Sequence, residues 1–327
     1  MRGIATESFQ WQDGERTIHF GRGALARALP TLGSGYVLLT TSRALEMAPA
    51  LAGGAAVIHS IPPGRVDELA GELLGEVEGE LLVALGGGRV IDTAKALAAA
   101  QEPGERPRVA AVPTTLSAAE MTAVHRRAAG ADGSLPGVRP AIVVNDPALS
   151  ASQPEVALAA SAANALGHAA EGPATTRATP VPALAGREAA RLIGEAYATA
   201  GEPARDTLAL GALLSGYAID GCGYGLHHVM SQTLARVAGV PHGKANAAML
   251  PHTLLALARR GAAGTAELAG LATELATRAE ALRLRDLGVD EDTLDRCADA
   301  AAGRAELDLT PPRADRDELR ALYASAF

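Results

Sequence analysis

An α/β half followed by an all-helical half is the fold class that the 327 residues of this chain predict, and three observations carry it. Up to about residue 150, short aliphatic or β-branched runs alternate with amphipathic stretches and glycine turns. After Pro154, Ala/Leu-rich segments of helical period continue almost to Phe327, with few β-branched runs. Between Leu85 and Val90, three consecutive glycines separate a strand-like run from a helix-like one. Strand and helix in alternation predict a mostly parallel sheet covered on both faces. Its loss places a boundary near 150, giving domains 1–150 and 151–327.

Taken in order, Ala24 to Leu29 reads as a first helix and Tyr36 to Thr41 as a strand. Ala55 to Ile58 has the length of a further buried strand, and Val66 to Glu78 reads as a helix. Leu81 to Leu85 is a buried-strand run, Val90 to Ala100 a helix, and Val109 to Val112 and Ala141 to Val144 two more strands bounded by breakers. Asn145-Asp146-Pro147 ends the last of them. No internal repeat is present, and the leucine spacing of the second half marks helix rather than low-complexity linker.

Composition narrows the function classes. With 48% hydrophobic and 20% charged residues and a net charge of -8, the chain has the profile of a soluble globular protein with small-molecule partners. It lacks the basic block of a nucleic-acid binder and the basic amphipathic face of a membrane-surface protein. Met1 to Gln10 lack a basic stretch followed by an apolar core, and no run approaches the roughly 18 apolar residues of a bilayer span, so a cytoplasmic location is expected. Cys222 and Cys297 belong to no CxxC pair and read as packing residues.

Only Lys95 and Lys244 among the 29 basic side chains are lysines, and each lies in a motif-like stretch. An arginine preference this strong is expected to spare lysine only where a compact, titratable ammonium is required. Lys95 closes Gly86-Gly87-Gly88-Arg89-Val90-Ile91-Asp92-Thr93-Ala94-Lys95. A helix opening directly out of a glycine turn presents unpaired N–H groups and a positive dipole end to an anion, usually a cofactor phosphate. The spacing is neither GxGxxG nor that of a P-loop. Asp92 and Lys95 share one helix face, and Pro113-Thr114-Thr115 brings hydroxyls to the same carboxyl edge, where open α/β sheets bind ligands.

Five of the eight histidines lie between residues 168 and 252. Asn164 and His168 are four apart on one helix face, while Gly225-Leu226-His227-His228 and Pro241-His242-Gly243 bring imidazoles from separate segments. Three histidines plus one oxygen ligand suit a divalent transition metal. His19, His59 and His252 read as ordinary packing or surface residues, and His125, beside Arg126 and Arg127, as part of a solvated face or, alternatively, an anion contact.

These motifs together resemble the iron-containing alcohol dehydrogenase family. The glycine turn is similar to its GGGSxxDxxK, and Asn145-Asp146-Pro147, Asn164 to Glu171 and Pro241 to Asn246 follow in the family's order, from about Phe20 to the C-terminal segment. Within the family the chain most resembles the maleylacetate reductase branch. Pro113 to Thr122 parallels its PTTxxxSEMT, with Ala119 in place of Ser, Gly225 to His228 parallels its GLHH, and Thr310-Pro311-Pro312-Arg313 is similar to its terminal NPRP.

The resemblance implies the dehydroquinate synthase-like fold of that family: an N-terminal α/β nucleotide-binding domain, a C-terminal helical domain, and an active site in the cleft between them. It implies an enzyme, an oxidoreductase passing hydride from NADPH or NADH to a small unsaturated oxo-acid, and a homodimer. Gly86, Gly87, Gly88, Arg89, Asp92, Lys95, Thr114, Thr115, Ser117 and Thr41 would line the cofactor. Asn164, His168, His228 and His242 occupy the positions that hold iron or zinc in metal-dependent members. Asn164 replaces an Asp there, which weakens a divalent site and fits a metal-free design. Gln232 stands where a further His is expected, leaving His227, His228, His242 or Tyr224 to deliver a proton, with Lys244 placed to clamp a substrate carboxylate. Arg89, in place of Ser, either adds a phosphate contact or obstructs it. Thr41-Ser42-Arg43 lacks the acidic residue that selects NAD through its ribose, which leans toward NADPH. A reductase repurposed for a specialised biosynthetic substrate, and a non-redox lyase or binding protein that kept the cleft, remain open readings.

Overall fold

The computed structural model describes residues 8–199 and 201–327. For residues 1–7, the expectation that Met1 to Gln10 form no leader lies outside the described residues. The chain divides into two compact units, the first ending at Gln153 and the second beginning at Pro154.

In the first unit the elements run β1 (Phe9–Asp13), β2 (Arg16–Phe20), α1 (Ala24–Leu32), β3 (Tyr36–Thr40), α2 (Ser42–Met47), β4 (Ala55–Ser60), α3 (Val66–Leu73), β5 (Leu81–Gly86), α4 (Gly88–Ala99), β6 (Arg108–Pro113), β7 (Ile142–Asn145) and α5 (Pro147–Ser150). The strands form one sheet in the order β1-β2-β7-β6-β5-β3-β4, parallel except for the β1/β2 hairpin. The two-residue periodicity of the strands sorts their side chains. Val37, Leu39, Leu82, Ala84, Val109 and Ala111 pack with α3 and α4 on one face, and Tyr36, Leu38, Val83, Leu85, Ala110 and Val112 pack with α1 and α2 on the other. Both faces are therefore covered, and the strands read as unbroken apolar runs.

Three sequence expectations need correction. The hairpin β1/β2 was not expected; Gly14-Glu15, with Gly14 at φ +60°, is its turn, and β2 pairs in parallel with β7. β4 is not buried: it is an edge strand with Val57 and Ile58 exposed. The helix expected over Val66 to Glu78 ends at Leu73.

The second unit is helical throughout its described residues: α6 (Glu155–Glu171), α7 (Pro180–Ala196), α8 (Arg205–Cys222), α9 (Leu226–Val237), α10 (His242–Arg259), α11 (Ala269–Arg278), α12 (Glu291–Ala302) and α13 (Arg316–Ser325). Its core gathers Leu226, Val229, Met230, Leu234 and Met249 from α9 and α10 with Leu294, Cys297, Leu319 and Tyr323 from the last two helices. Cys222 and Cys297 are buried free thiols, as packing residues should be. No helix among the described residues is long and apolar enough to cross a membrane.

Candidate active site

The carboxyl ends of β3, β5 and β6 converge on one cavity of about 330 Å³, lined by Thr41, Arg43, Gly87, Gly88, Arg89, Thr114 and Thr115 among others. β3 neighbours β4 on one side and β5 on the other, so chain order reverses across the β3–β5 pair and leaves a crevice beyond their ends. The glycines are required there by close approach rather than by a left-handed backbone. An added Cβ would lie 2.6 Å from Val90 Cγ2 at Gly86, 2.9 Å from Thr115 Cγ2 at Gly87 and 3.0 Å from Ser117 at Gly88. Gly87 is the N-cap of α4 and offers no side chain to its first N–H groups, which leaves them for an anion.

Charge in this cavity has one sign. Arg43 and Arg89 line it, no carboxylate does, and neither guanidinium has an ion-pair partner among the described residues. Arg89 Nε and Thr115 Oγ1 are buried without a protein acceptor or donor. Thr41 is spent partly on structure, its Oγ1 accepting from Ala44 N at 3.2 Å to cap α2.

Four residues expected at the cofactor fall outside the cavity lining: Gly86, Asp92, Lys95 and Ser117. Lys95 is fully buried. Its ammonium donates to Asp92 Oδ1 at 2.8 Å, to the carbonyls of Ala119 at 3.0 Å and Val124 at 2.8 Å, and lies 3.5 Å from Thr122 Oγ1. Arg16 of β2 adds a bond to the Met121 carbonyl at 2.8 Å. Both cations pin the loop that follows β6 and carries Thr114 and Thr115. Lysine is retained at 95 because a compact ammonium fits a cage of carbonyls that a planar guanidinium does not, and the expectation of a titratable role gives way to this one. His125 also departs from expectation: its ring is a staple, with Nδ1 2.8 Å from the Arg126 carbonyl and Nε2 accepting from Val138 N at 3.2 Å.

Glu120 in the same loop is buried, with Oε2 unpartnered and Oε1 3.4 Å from Asn145 Nδ2. Burial pushes its carboxyl up to about 7 against the pull of Lys95 and Arg16. The unfolded value is near 4.5. Folding thus favours the protonated form, and its stability contribution is complete below about 4.5 and lost as pH rises to about 7. Glu120→Gln is expected to match the wild type at pH 4.5 and exceed it by on the order of 3 kcal/mol above pH 7. Urea denaturation at the two pH values checks this, and a difference independent of pH would contradict it.

In the second unit, α6 and α9 bring the histidines together. His168 and His228 stack with ring centroids 4.6 Å apart, and His227 meets His228 edge-on at 4.8 Å. Gly167 is glycine because a Cβ there would lie 2.6 Å from His227 Nε2. Fully buried Glu171, at the C-terminal end of α6, organises the cluster. Its Oε1 accepts from His227 N at 2.6 Å, and its Oε2 accepts from His228 N at 3.2 Å and His228 Nδ1 at 2.7 Å. One carboxylate thus caps α9 and fixes the His228 tautomer, leaving Nε2 as an acceptor. His227 Nδ1 donates to Thr253 Oγ1 at 2.8 Å, since that hydroxyl already donates to helix carbonyls of α10. Burial, then mutual proximity, holds His227 and His228 down to about 3 and His168 well below its usual value. These three imidazoles are neutral at pH 7. His242 differs, being the exposed first residue of α10 with Lys244 in the same turn.

The residues at the expected metal position do not fit a divalent ion as placed. Imidazole lone pairs lie in the ring plane, and two rings stacked 13° from parallel do not aim at one point. Asn164 brings an unpartnered Oδ1 without charge, and no group of three His, Cys, Asp or Glu among the described residues could hold an ion.

Tyr224 lies 5.9 Å from His228, ring to ring. Its hydroxyl donates to Glu306 Oε1 at 3.2 Å, and burial, then the Glu306 charge, raises its pKa, so it holds its proton near neutrality. Arg304, which sequence reasoning missed, grips Glu306 through Nε at 3.0 Å and Nη2 at 2.7 Å. Thr310 of the Thr-Pro-Pro-Arg segment accepts from Leu226 N at 3.1 Å, completing the seat of α9.

Comparison with known proteins agrees with this geometry. The family model described as iron-containing alcohol dehydrogenase matches residues 16–147, and that for the family's C-terminal part matches residues 158–263. Maleylacetate reductase from Pseudomonas aeruginosa is 30% identical over 283 residues, covering 81% of this chain and 79% of its own. A maleylacetate reductase from Burkholderia cepacia is 29% identical over 95% of each chain. The crystal structure of maleylacetate reductase from Agrobacterium tumefaciens superposes with a TM-score of 0.81 at 26% identity, over 98% of each chain. An α/β unit with a glycine turn at its switch point, a helical unit with ordered imidazoles, and matches that span both make this oxidoreductase, linked to NAD(P)H, a member of the iron-containing alcohol dehydrogenase family, most like maleylacetate reductase.

Proposed function

We propose that the protein is an NADPH-preferring reductase of a small unsaturated oxo-dicarboxylate, of the maleylacetate to 3-oxoadipate type. The observation that carries the nucleotide half of this reading is a cavity at the glycine turn with two unpaired guanidinium groups and no carboxylate. The α4 N-terminus and Arg89 suit the pyrophosphate, and Arg43, just past β3, suits a ribose phosphate. A bound nicotinamide nucleotide would supply hydride for the double-bond carbon β to the ketone. The electron pair moves onto the ketone oxygen as an enolate, and a proton then enters at the α carbon. Lys244, which has no ion-pair partner among the described residues, matches a substrate carboxylate. With His168, His227 and His228 neutral and buried, exposed His242 is the imidazole assigned to proton delivery.

Mixing the enzyme with NADPH and maleylacetate should bleach the nicotinamide band; no oxidation with either nucleotide rules out this activity. Arg43→Ala is expected to weaken NADPH about 10- to 100-fold while leaving NADH within threefold, since one charge-assisted contact is worth roughly 1.5–3 kcal/mol. Arg89→Ser should weaken both nucleotides alike. Equal NADPH and NADH affinities in the wild type would overturn the assignment to Arg43.

A further inference from the structure

Leu116 to Thr122, in the loop after β6, seats against the start of α4. A Cβ added to Gly88 would lie 3.0 Å from Ser117 Cβ and 3.8 Å from Ala119 Cβ. The turn is strained: buried Ala118 has φ +62°, a left-handed backbone that alanine rarely adopts. Such a conformation persists only where surrounding contacts hold it. Lys95 takes the Ala119 and Val124 carbonyls, Arg16 takes the Met121 carbonyl, and Met121 N donates to the Ala118 carbonyl at 3.0 Å. Glu120 is buried in the same turn. Facing it are Lys95 and Asp92 of α4, Arg16 of β2 and Asn145 of β7, whose amide is oriented by Ser150 Oγ donating to its Oδ1 at 2.7 Å. Among the described residues neither cation bonds to the Glu120 carboxyl, since both are committed to carbonyls and to Asp92 or Asp13. Its Oε2 has no partner, and Oε1 has one long contact at 3.4 Å.

We infer that Glu120 is a proton-operated latch on this loop: the uncharged acid lets the strained turn close on the start of α4, and the carboxylate releases it. A carboxylate shut in with one weak donor and an orphan oxygen is poorly solvated, whereas in an opened loop water reaches both oxygens. Closing therefore favours the protonated acid. The closed loop has its full support below about 4.5 and loses that support as pH rises to about 7. Between those values the opening constant should rise by up to about tenfold per pH unit, and above about 7 it should level off. Thr114 and Thr115 line the cavity and lead into the loop, so the latch ties the shape of the anion-binding edge to pH near neutrality. It does so whichever nucleotide or substrate the protein takes.

Hydrogen–deuterium exchange of the full chain, read by mass spectrometry from pH 5 to 8 and corrected for the intrinsic rate at each pH, tests the latch. In the wild type, peptides spanning 116–124 should exchange about tenfold or more faster than those of β5 at every pH, which separates loop opening from global unfolding. Their protection should fall by about 30-fold or more between pH 5 and 7, then change by less than about threefold to pH 8. Glu120→Gln is uncharged throughout, and its loop protection should stay constant within about threefold over the whole range. A wild-type loop whose protection is independent of pH, the same fall in Glu120→Gln, or loop and β5 exchanging together would each overturn the latch. If Glu120→Gln does not fold, the wild-type profile decides alone: a fall confined to faster-exchanging loop peptides supports it, and a flat profile or exchange in step with β5 overturns it.

Discussion

Glu171→Ala should destabilise the protein by about 3–5 kcal/mol, because one side chain serves three buried donors. The backbone N–H groups of His227 and His228 and the Nδ1–H of His228 all end on its two oxygens, and all belong to buried residues. Alanine would strand them at the first turn of α9, where water cannot reach, and add a cavity. Two terms oppose each other here. Burial raises the Glu171 pKa, so the carboxylate is held at a desolvation penalty, and the donors offset that penalty. Removing the side chain recovers the penalty and loses every donor at once, and mutational experience with buried hydrogen-bonded charges puts the loss ahead. Glu171→Gln should destabilise less, by roughly 1–3 kcal/mol, because the amide oxygen still accepts while its NH₂ faces donors. Guanidinium denaturation followed by circular dichroism measures both. An alanine variant within 1 kcal/mol of wild type would show that α9 is seated by its apolar face alone.

How much of this was legible in the sequence depends on whether a residue's role is local. The turn from β5 into α4 was readable because a buried-strand run, three glycines and a helix are contiguous, and the strands of the sheet's centre were readable because both faces bury them. The β1/β2 hairpin escaped because each strand is only five residues long, although Phe9 to Gln12 alternate apolar and polar and Asp13-Gly14 was a usable turn signal. β4 has the composition of a buried strand and lies at an edge, and no local pattern distinguishes a centre from an edge. Glu171 lies in an Ala-rich helix three residues after His168, where a lone acid on an apolar face hinted at a buried partner. The partner itself, 56 residues away, required the fold. Arg304 lies 72 residues from Gln232 and belongs to no motif.

Lys95 was expected at the cofactor and lies instead fully buried against the loop after β6, outside the cavity lining, and its substitution is the second large effect expected. The scarcity of lysine marked this position as one where a compact ammonium is expected. The reason is steric and geometric: a fully buried ammonium meets Asp92 and two carbonyls within 3.0 Å. Lys95→Met keeps the volume of the stem and removes the charge, leaving the Ala119 and Val124 carbonyls without a donor and Asp92 without its counter-ion. A loss of about 3–5 kcal/mol follows, the range seen when one member of a buried pair is deleted. Lys95→Arg keeps the charge but forces a larger planar group into the same cage, and overpacking should remove about 1–3 kcal/mol. Because the pinned loop carries Thr114 and Thr115, both variants should also weaken NADPH binding, and Lys95→Met more than Lys95→Arg. A residue contacting the nucleotide directly would give another pattern: near-normal stability with sharply weakened NADPH. Thermal denaturation and nucleotide titration on the same two variants separate these cases, and a stable Lys95→Met protein that no longer binds NADPH would return Lys95 to the cofactor site.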